Sequence, residues 1–327
     1  MNAPARGERD DAPGWAIVLA AGEGQRLARV TRALYGHDVP KQFAALDGDQ
    51  TMLQQTMGRA ARITSPERAV VVVAAGEQAG LAREQLAEHP RARLVEQPRN
   101  VGTLAGLLLP LAHVLRASPR APVVVYPADH HFRRLAPFVA AVHDALDAVA
   151  QAPARVVLVG ARADRPATDL GWILRGQALD AEARARAVEC FVEKPAPASA
   201  AHLLACGALW NTLVIAMDGA AFWESALGAH PVLESPFERY RASIGTAHEE
   251  AVRREIYSDL PTLDLSRDFL ARRPGLAVVE LADAGWSDCG TPERLFETLA
   301  HGPNLERLLG RLGAGGAAPF ALERGAD

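Results

Sequence analysis

Apolar residues in this chain fall into short unbroken runs, separated by segments with helical spacing. Residues 15–20 (Trp-Ala-Ile-Val-Leu-Ala), 69–74 and 122–126 are continuous apolar runs bounded by turn-formers, the pattern of strands buried on both faces of a parallel sheet. Residues 93–96 and 155–160 continue the series. Helices are predicted between them. Thr51, with Gln54 three residues on, makes a capping box that opens a helix to about residue 63, and residues 78–88, 104–116 and 135–150 carry helical periodicity. The 104–116 segment is apolar nearly all round, so it is expected to be buried, with Pro110 kinking it. Strands alternating with helices predict an α/β fold: a doubly wound, mostly parallel, Rossmann-like sheet that binds ligands outside the carboxyl ends of its strands.

The rhythm changes after residue 160. Residues 171–175 and 187–193 read as strands with no long helix between them, which predicts a smaller antiparallel lobe beside the first sheet. A helix over 199–206 and a strand over 209–217 follow, and residues 219–259 are helical with breaks expected near Pro231 and Pro236. A last strand at 276–281 precedes Trp286-Ser287-Asp288-Cys289-Gly290, and Pro292 opens a helix to residue 300 as a first-turn proline. The expected organisation is a disordered polar tail over 1–14, one functional domain over 15–300, and a C-terminal helix with a loose Gly- and Ala-rich end over 301–327.

Composition narrows the function classes. With 49% hydrophobic residues in 327, the chain can bury a large core. A net charge of -4 and a pI near 6.2, with Lys and Arg interleaved among Asp and Glu, give no electrostatic footprint for nucleic acid. No run approaches the roughly 18 apolar residues of a membrane span, and the first residues lack the apolar core of a secretory signal, so a cytoplasmic location is expected. Cys190, Cys206 and Cys289 show no CxxC spacing and read as small core residues of a reducing compartment.

Candidate chemistry lies in the loops that such a sheet gathers. The first strand stops at Ala20, Ala21, Gly22, Glu23 and Gly24, small residues whose backbone N–H groups can face an anion, with a phosphate the obvious one. Arg26 and Lys41 place two cations within reach. The loop is not a dinucleotide fingerprint, because Leu27 takes the third glycine's place, and no Gly-Lys-Ser/Thr of the ATPase type occurs. A second loop, Gln97-Pro98-Arg99-Asn100-Val101-Gly102-Thr103, and Asp129 directly after its strand should lie beside it. A bound triphosphate needs cations and a divalent ion carried by one or two carboxylates. Asp129 and Asp288 are the candidates, each with the plain alternative of a helix cap or turn former. His130 and His131 lack metal-ligand spacing and read as structural.

Longer patterns add a resemblance. LAAGEGQRL, from Leu19, and PKQF, from Pro40, resemble the nucleotide-binding signature of the sugar-1-phosphate nucleotidyltransferases. With TMLQQT at 51–56, PADH at 127–130, FVEKP at 191–195, LWN at 209–211 and WSDCG at 286–290, the chain is most similar to mannose-1-phosphate guanylyltransferases, in the family's order over about residues 15–300. The resemblance implies transfer of a nucleotidyl group from a nucleoside triphosphate, GTP favoured, to a sugar 1-phosphate, mannose 1-phosphate favoured, with Mg²⁺ as cofactor. It implies catalytic roles for Arg26, Lys41, Asp129 and Lys194, and nucleotide contacts from Ala20, Ala21, Gly22, Gly24, Gln97, Asn100, Gly102 and Thr103. Gly171, Glu193, Lys194 and Asn211 would bind the sugar phosphate, and Asp129 and Asp288 the metal. No nucleic acid or membrane partner is implied, and a homo-oligomer is compatible with it.

The chain also departs from the family's pattern. Gln25 stands where those enzymes usually carry Thr, Asn100-Val101-Gly102-Thr103 replaces their Asn-Thr-Ala-Pro, and Thr212-Leu213-Val214 replaces Ser-Gly-Met. The first two bear on the base, the third on the sugar. An isoprenoid-pathway cytidylyltransferase also has a glycine loop and PKQ, but is shorter and lacks the EKP and WSDCG pieces. A catalytically silent paralogue that binds a nucleotide sugar is the other rival, against which the retention of Arg26, Lys41, Asp129, Lys194 and Asp288 weighs. The sequence ends too soon for the isomerase domain found in longer bifunctional relatives.

Overall fold

The computed structural model describes residues 14–300 and 302–314, so the expected tail at 1–13 and the loose end at 315–327 lie outside the described residues. The strands, in chain order, are β1 (Trp15–Leu19), β2 (Ala69–Ala74), β3 (Arg93–Gln97), β4 (Pro122–Pro127), β5 (His131–Phe132), β6 (Val156–Arg162), β7 (Gly171–Ala178), β8 (Ala185–Glu193), β9 (Leu209–Asp218), β10 (Leu276–Leu281) and β11 (Trp286–Ser287). The helices begin with α1 (Ala28–Tyr35), α2 (Met52–Ala60), α3 (Glu77–Gln85), α4 (Thr103–Ala117), α5 (Leu135–Gln151) and α6 (Pro197–Ala205). They continue with α7 (Gly219–Ala229), α8 (Glu234–Ser243), α9 (Glu249–Asp259), α10 (Pro292–Ala300) and α11 (Asn304–Ala314).

Nine strands make one twisted sheet in the order β3-β2-β1-β4-β9-β6-β10-β8-β7, and β5 pairs with β11 in a small second sheet. From β3 to β4 every pairing is parallel, as the continuous apolar runs require. β9 then enters between β4 and β6, antiparallel to both. The antiparallel lobe expected from the change of rhythm is therefore a continuation of the same sheet, with β10 parallel to β6 and antiparallel to β8.

Alternation along the strands serves two cores. Ala16 and Val18 pack on one face with residues of α1, α2 and α5, while Ile17 points to the other with α4, α7 and α8. The capping box forms: Thr51 accepts from the Gln54 N–H, and Gln54 accepts from the Thr51 N–H at 3.0 Å. α4 runs unbroken through Pro110 and is buried from Leu104 to Leu115. Each fully buried leucine is worth roughly 1.5–3 kcal/mol, so together they exceed the proline's cost of about 3 kcal/mol. The break at Pro231 is present as a short 3₁₀ turn, but Pro236 interrupts nothing: it lies in the first turn of α8, where the missing N–H has no helical partner to lose. Of the three cysteines, Cys289 is buried as expected, whereas Cys190 and Cys206 are exposed.

This order sets the site. β3, β1 and β4 lie close together and point the same way, so their carboxyl ends bring the 97–103 loop, the glycine loop and Asp129 to one edge. β9 runs the other way with Ile215 opposite Val125, which carries Asn211 and Leu213 to that same edge. β7 joins them, because Trp172 pairs with Trp210 and Gly171 with Glu193.

Candidate active site

Lys41 lies at the centre of this edge. It opens a 3₁₀ turn after Pro40, and its side chain is only 7% exposed. Its ammonium meets Asp129 Oδ2 at 2.9 Å and donates to the backbone carbonyls of Asp288 at 2.5 Å and Cys289 at 3.4 Å. Gly24 lies directly against the Lys41 backbone: at φ +63, a Cβ there would come within 2.6 Å of the Lys41 nitrogen, so the second glycine of the loop is required both by conformation and by space. Gln42 ties the first part of the loop, its Nε2 donating to Ala20 O at 2.8 Å and Gly22 O at 2.7 Å. Gln42 was not singled out from the sequence, although the PKQF run contained it.

Burial would raise the Asp129 carboxyl, but the adjacent Lys41 ammonium, with His130, overrules it and holds Asp129 below the usual carboxylate range. His130 is pushed down by burial, and its Nδ1 accepts from Trp286 Nε1 at 3.2 Å. His131 pairs instead with Asp47 at 3.1 Å.

A cleft of about 260 Å³ opens beside the loop, lined by Ala21, Gly22, Gln97, Asn100, Gly102, Thr103 and Asp129 together with Gln42, Gly106 and Leu213. Seven of the residues predicted for nucleotide and metal thus share one wall. Ala20 does not line it: it is buried behind the loop, its N–H bonded to Val72 O. Gly24 faces Lys41 rather than the cleft. Gln97 is buried, and its Nε2 has no partner among the described residues, a donor aimed at nothing in the protein itself. The 97–103 loop is held by residues far along the chain. Leu263 exchanges backbone bonds with Val101 and Leu104, and Gly102, at φ +89, lies so close that a Cβ would come within 2.2 Å of Leu263 O.

Gly171, Glu193 and Asn211 form a second cluster. A Cβ on Gly171 would meet Glu193 Oε2 at 2.7 Å and Asn211 Cβ at 3.2 Å, so a larger residue there would push the Glu193 carboxyl aside. Burial raises the Glu193 carboxyl, opposed by Lys194. Asn211 Oδ1 accepts from the Leu213 N–H at 3.1 Å, and its amide NH₂ has no hydrogen-bond partner among the described residues. Lys194 is 65% exposed, with Glu193 3.7 Å away. Lys194, Leu213 and Cys289 all have positive φ, 48°, 57° and 43°, and non-glycine residues in that region cost about 1–3 kcal/mol each. Trp172, by contrast, is fully buried and belongs to the core.

Asp288 is buried, with Oδ1 accepting from Arg294 Nη1 at 2.7 Å and the Gly290 N–H at 3.2 Å. Arg294 Nη2 reaches Asp169 Oδ2 at 2.6 Å, and Arg26 Nη1 reaches the same oxygen at 3.0 Å. Asp169 and Arg294 were missed from the sequence because nothing local marks a pair 125 residues apart. Three cations (Arg26, Lys41, Arg294) and three carboxylates (Asp129, Asp169, Asp288) cancel at this centre. A neutral frame of this kind can take a dication and a polyanion together.

Asp129 and Asp288 are the residues that would hold Mg²⁺, Asp129 on the wall of the nucleotide cleft and Asp288 in a separate cleft that it lines with Trp210, Trp286 and Arg294, while the Lys41 ammonium touches both segments. Asp129 Oδ2 meets Lys41 and its Oδ1 lies 3.7 Å from His130 Nε2, while Asp288 uses Oδ1 for Arg294 and keeps Oδ2 without a hydrogen bond to the described residues. Among the described residues no group of three or more His, Cys, Asp and Glu forms a self-sufficient cage. Two carboxylates completed by phosphates and water are the arrangement that ion prefers.

Comparison with known proteins agrees with this geometry. The family model described as nucleotidyl transferase matches residues 15–303. The xanthan biosynthesis protein XanB of Xanthomonas campestris pv. campestris (strain B100) is 30% identical over 286 residues, covering 86% of this chain and 58% of that protein. A mannose-1-phosphate guanylyltransferase of Escherichia coli (strain K12) is 32% identical over 305 residues, covering 87% and 59%. The chain spans 58–60% of the length of these and a further curated relative. A solved structure named as a mannose-1-phosphate geranyltransferase from Thermus thermophilus has a TM-score of 0.75 at 27% identity, over 89% of this chain and 81% of that one. A UDP-glucose pyrophosphorylase complexed with UDP-glucose, 15% identical with a TM-score of 0.55 over 88% of this chain and 97% of that one, shares the fold.

Proposed function

This chain belongs to the nucleotidyl transferase family, and on that premise we propose that it transfers a nucleotidyl group from GTP to mannose 1-phosphate, releasing pyrophosphate. The observation that carries the proposal is the buried Lys41 ammonium, bonded to Asp129 and to the Asp288 backbone beneath the glycine loop. The names of the similar guanylyltransferases support the choice of base and sugar.

The reaction asks for placement and charge more than for a base. The sugar 1-phosphate oxygen is already anionic, so the site must hold it in line with the α-phosphorus and stabilise charge on the departing pyrophosphate. The backbone of Ala21 and Gly22 receives the phosphates, and Arg26 exchanges its exposed pair with Asp169 for them, an exchange that costs about 1 kcal/mol or less. Lys41 holds its charge beside the reacting phosphate. When bound at Asp129 and Asp288, Mg²⁺ supplies neutralisation of the triphosphate charge. Lys194 reaches the sugar phosphate, while Glu193 accepts from sugar hydroxyls and the Asn211 amide donates to them. The unpartnered Gln97 Nε2 offers a donor to a base carbonyl, which guanine and the pyrimidines carry and adenine lacks, so it disfavours adenine and is compatible with guanine.

The test is pyrophosphate release with Mg²⁺, measured for four nucleoside triphosphates against mannose, glucose, heptose and fucose 1-phosphates. GTP with mannose 1-phosphate is expected to give the highest rate. Another pair would replace the assignment of base or sugar, and no release from any pair would refute the enzymatic reading.

A further inference from the structure

Arg294 stands on α10, outside every loop that the sequence motifs mark, yet its side chain is 13% exposed and both ends of its guanidinium are engaged. Nη1 holds Asp288 Oδ1 at 2.7 Å and Nη2 holds Asp169 Oδ2 at 2.6 Å, while Asp169 also holds Arg26 at 3.0 Å. Four charged side chains from four segments therefore form one line: Arg26, Asp169, Arg294, Asp288. A buried guanidinium costs several kcal/mol unless its partners are fixed, so this line is a specified feature of the fold.

We infer that Arg294 is a positioning residue, which clamps one oxygen of Asp288 so that the other faces the divalent cation, and through Asp169 keeps Arg26 beside the same centre until the phosphates take it over. The inference rests on the proposed role of Asp288 as a cation ligand. Two effects of Arg294 on that ligand oppose each other. Its charge repels a dication, whereas its hydrogen bond fixes the carboxylate that must receive it. Asp169 decides the balance: Arg294 sits between two carboxylates, the trio carries a net charge of -1, and the repulsion is offset while the orientation stays. Groups that orient a metal-binding carboxylate from behind typically contribute about 10–100-fold in metal affinity or activity.

The experiment titrates Mn²⁺ into the full chain by electron paramagnetic resonance, with the α,β-methylene analogue of GTP or of whichever triphosphate supports turnover. Arg294→Gln is expected to weaken Mn²⁺ binding about tenfold or more, Arg294→Lys to recover part of it, and Asp169→Asn to weaken it by a smaller factor. In turnover the metal concentration for half-maximal rate rises more than the rate at saturating metal falls. Thermal melts without metal identify any variant that fails to fold. Should Arg294→Gln do so, Arg294→Lys and Asp169→Asn carry the comparison. Unchanged or tighter Mn²⁺ binding in the folded variants overturns the inference. A wild-type chain that binds Mn²⁺ but releases no pyrophosphate overturns the proposed reaction instead, and leaves the affinity comparison able to judge Arg294.

Discussion

Replacing Lys41 by methionine keeps most of the apolar stem and removes the ammonium on which two segments of the site converge. Breaking a fully buried ion pair costs about 3–5 kcal/mol. Asp129 is 37% exposed, so water takes over part of that role and the loss there falls to roughly 1–2 kcal/mol. The Asp288 carbonyl is left without its 2.5 Å donor inside the protein, at roughly 1–3 kcal/mol more. The sum is about 2–5 kcal/mol, which for a chain of 327 residues lowers the melting temperature by roughly 3–7 °C. Catalysis should suffer more than stability does. A preorganised cation at a site of developing charge is worth about 10²–10³ in kcat, so pyrophosphate release by folded Lys41→Met at 25 °C, well below its melt, should fall by that factor. A loss of under about tenfold, equivalent to less than roughly 1.4 kcal/mol of barrier, would refute the role given to Lys41, whatever the melt shows.

Burial holds the Glu193 carboxyl above the ordinary carboxylate range, so it gains its proton earlier on acidification than a free carboxylate would, and the KM for sugar 1-phosphate should rise on the acid side as it does. Glu193→Gln should show a high KM with no acid inflection, and an unchanged inflection in that variant would remove Glu193 from the sugar site. Leu213 sits at φ +57, where glycine is unstrained. Leu213→Gly should therefore melt higher than Leu213→Ala by the equivalent of about 1 kcal/mol, the reverse of the usual order, and the usual order would deny the strain. His113, buried against Tyr240 at 2.7 Å, is pushed by burial from 6.5 down to about 4. Between those values the unfolded chain binds the extra proton, so stability is full above about pH 6.5 and falls by roughly 3 kcal/mol as pH drops to about 4. Urea melts across that range should show the slope in the wild type and a flatter one in His113→Gln.

The parts of this fold that were legible in the sequence are those whose signal is local. β1, β2 and β4 declared themselves as apolar runs, α2 by its capping box, and α10 by its first-turn proline. α1 went unread although it is amphipathic, with Val30 and Thr31 inward: it is only eight residues long, Leu27 precedes it with no side-chain cap, and the Gly36 C-cap at φ +78 was passed over. The union of antiparallel and parallel strands in one sheet depends on β9 inserting between β4 and β6, which no local pattern states. The site divides in the same way. Glycines and carboxylates at strand ends were found because ligands gather at the carboxyl ends of such strands, and the resemblance to the nucleotidyltransferases, carried by motifs of a few adjacent residues, favoured function over a cap or turn for each Asp. The Asp169–Arg294 pair and the support of Gly102 by Leu263 are products of tertiary closure, more than a hundred residues apart in each case, and carry no signature of their own.

The most direct test of the account follows the phosphorus atoms. The chain is incubated with mannose 1-phosphate, Mg²⁺ and GTP carrying ³²P at the α position in one reaction and at the γ position in another, and the products are separated. In-line transfer at this site predicts that the α label moves into the nucleotide sugar while the γ label leaves as pyrophosphate, and that both movements slow together, by the same factor, in Lys41→Met. An α label that stays in GTP, or appears in free GMP with no nucleotide sugar formed, would contradict it.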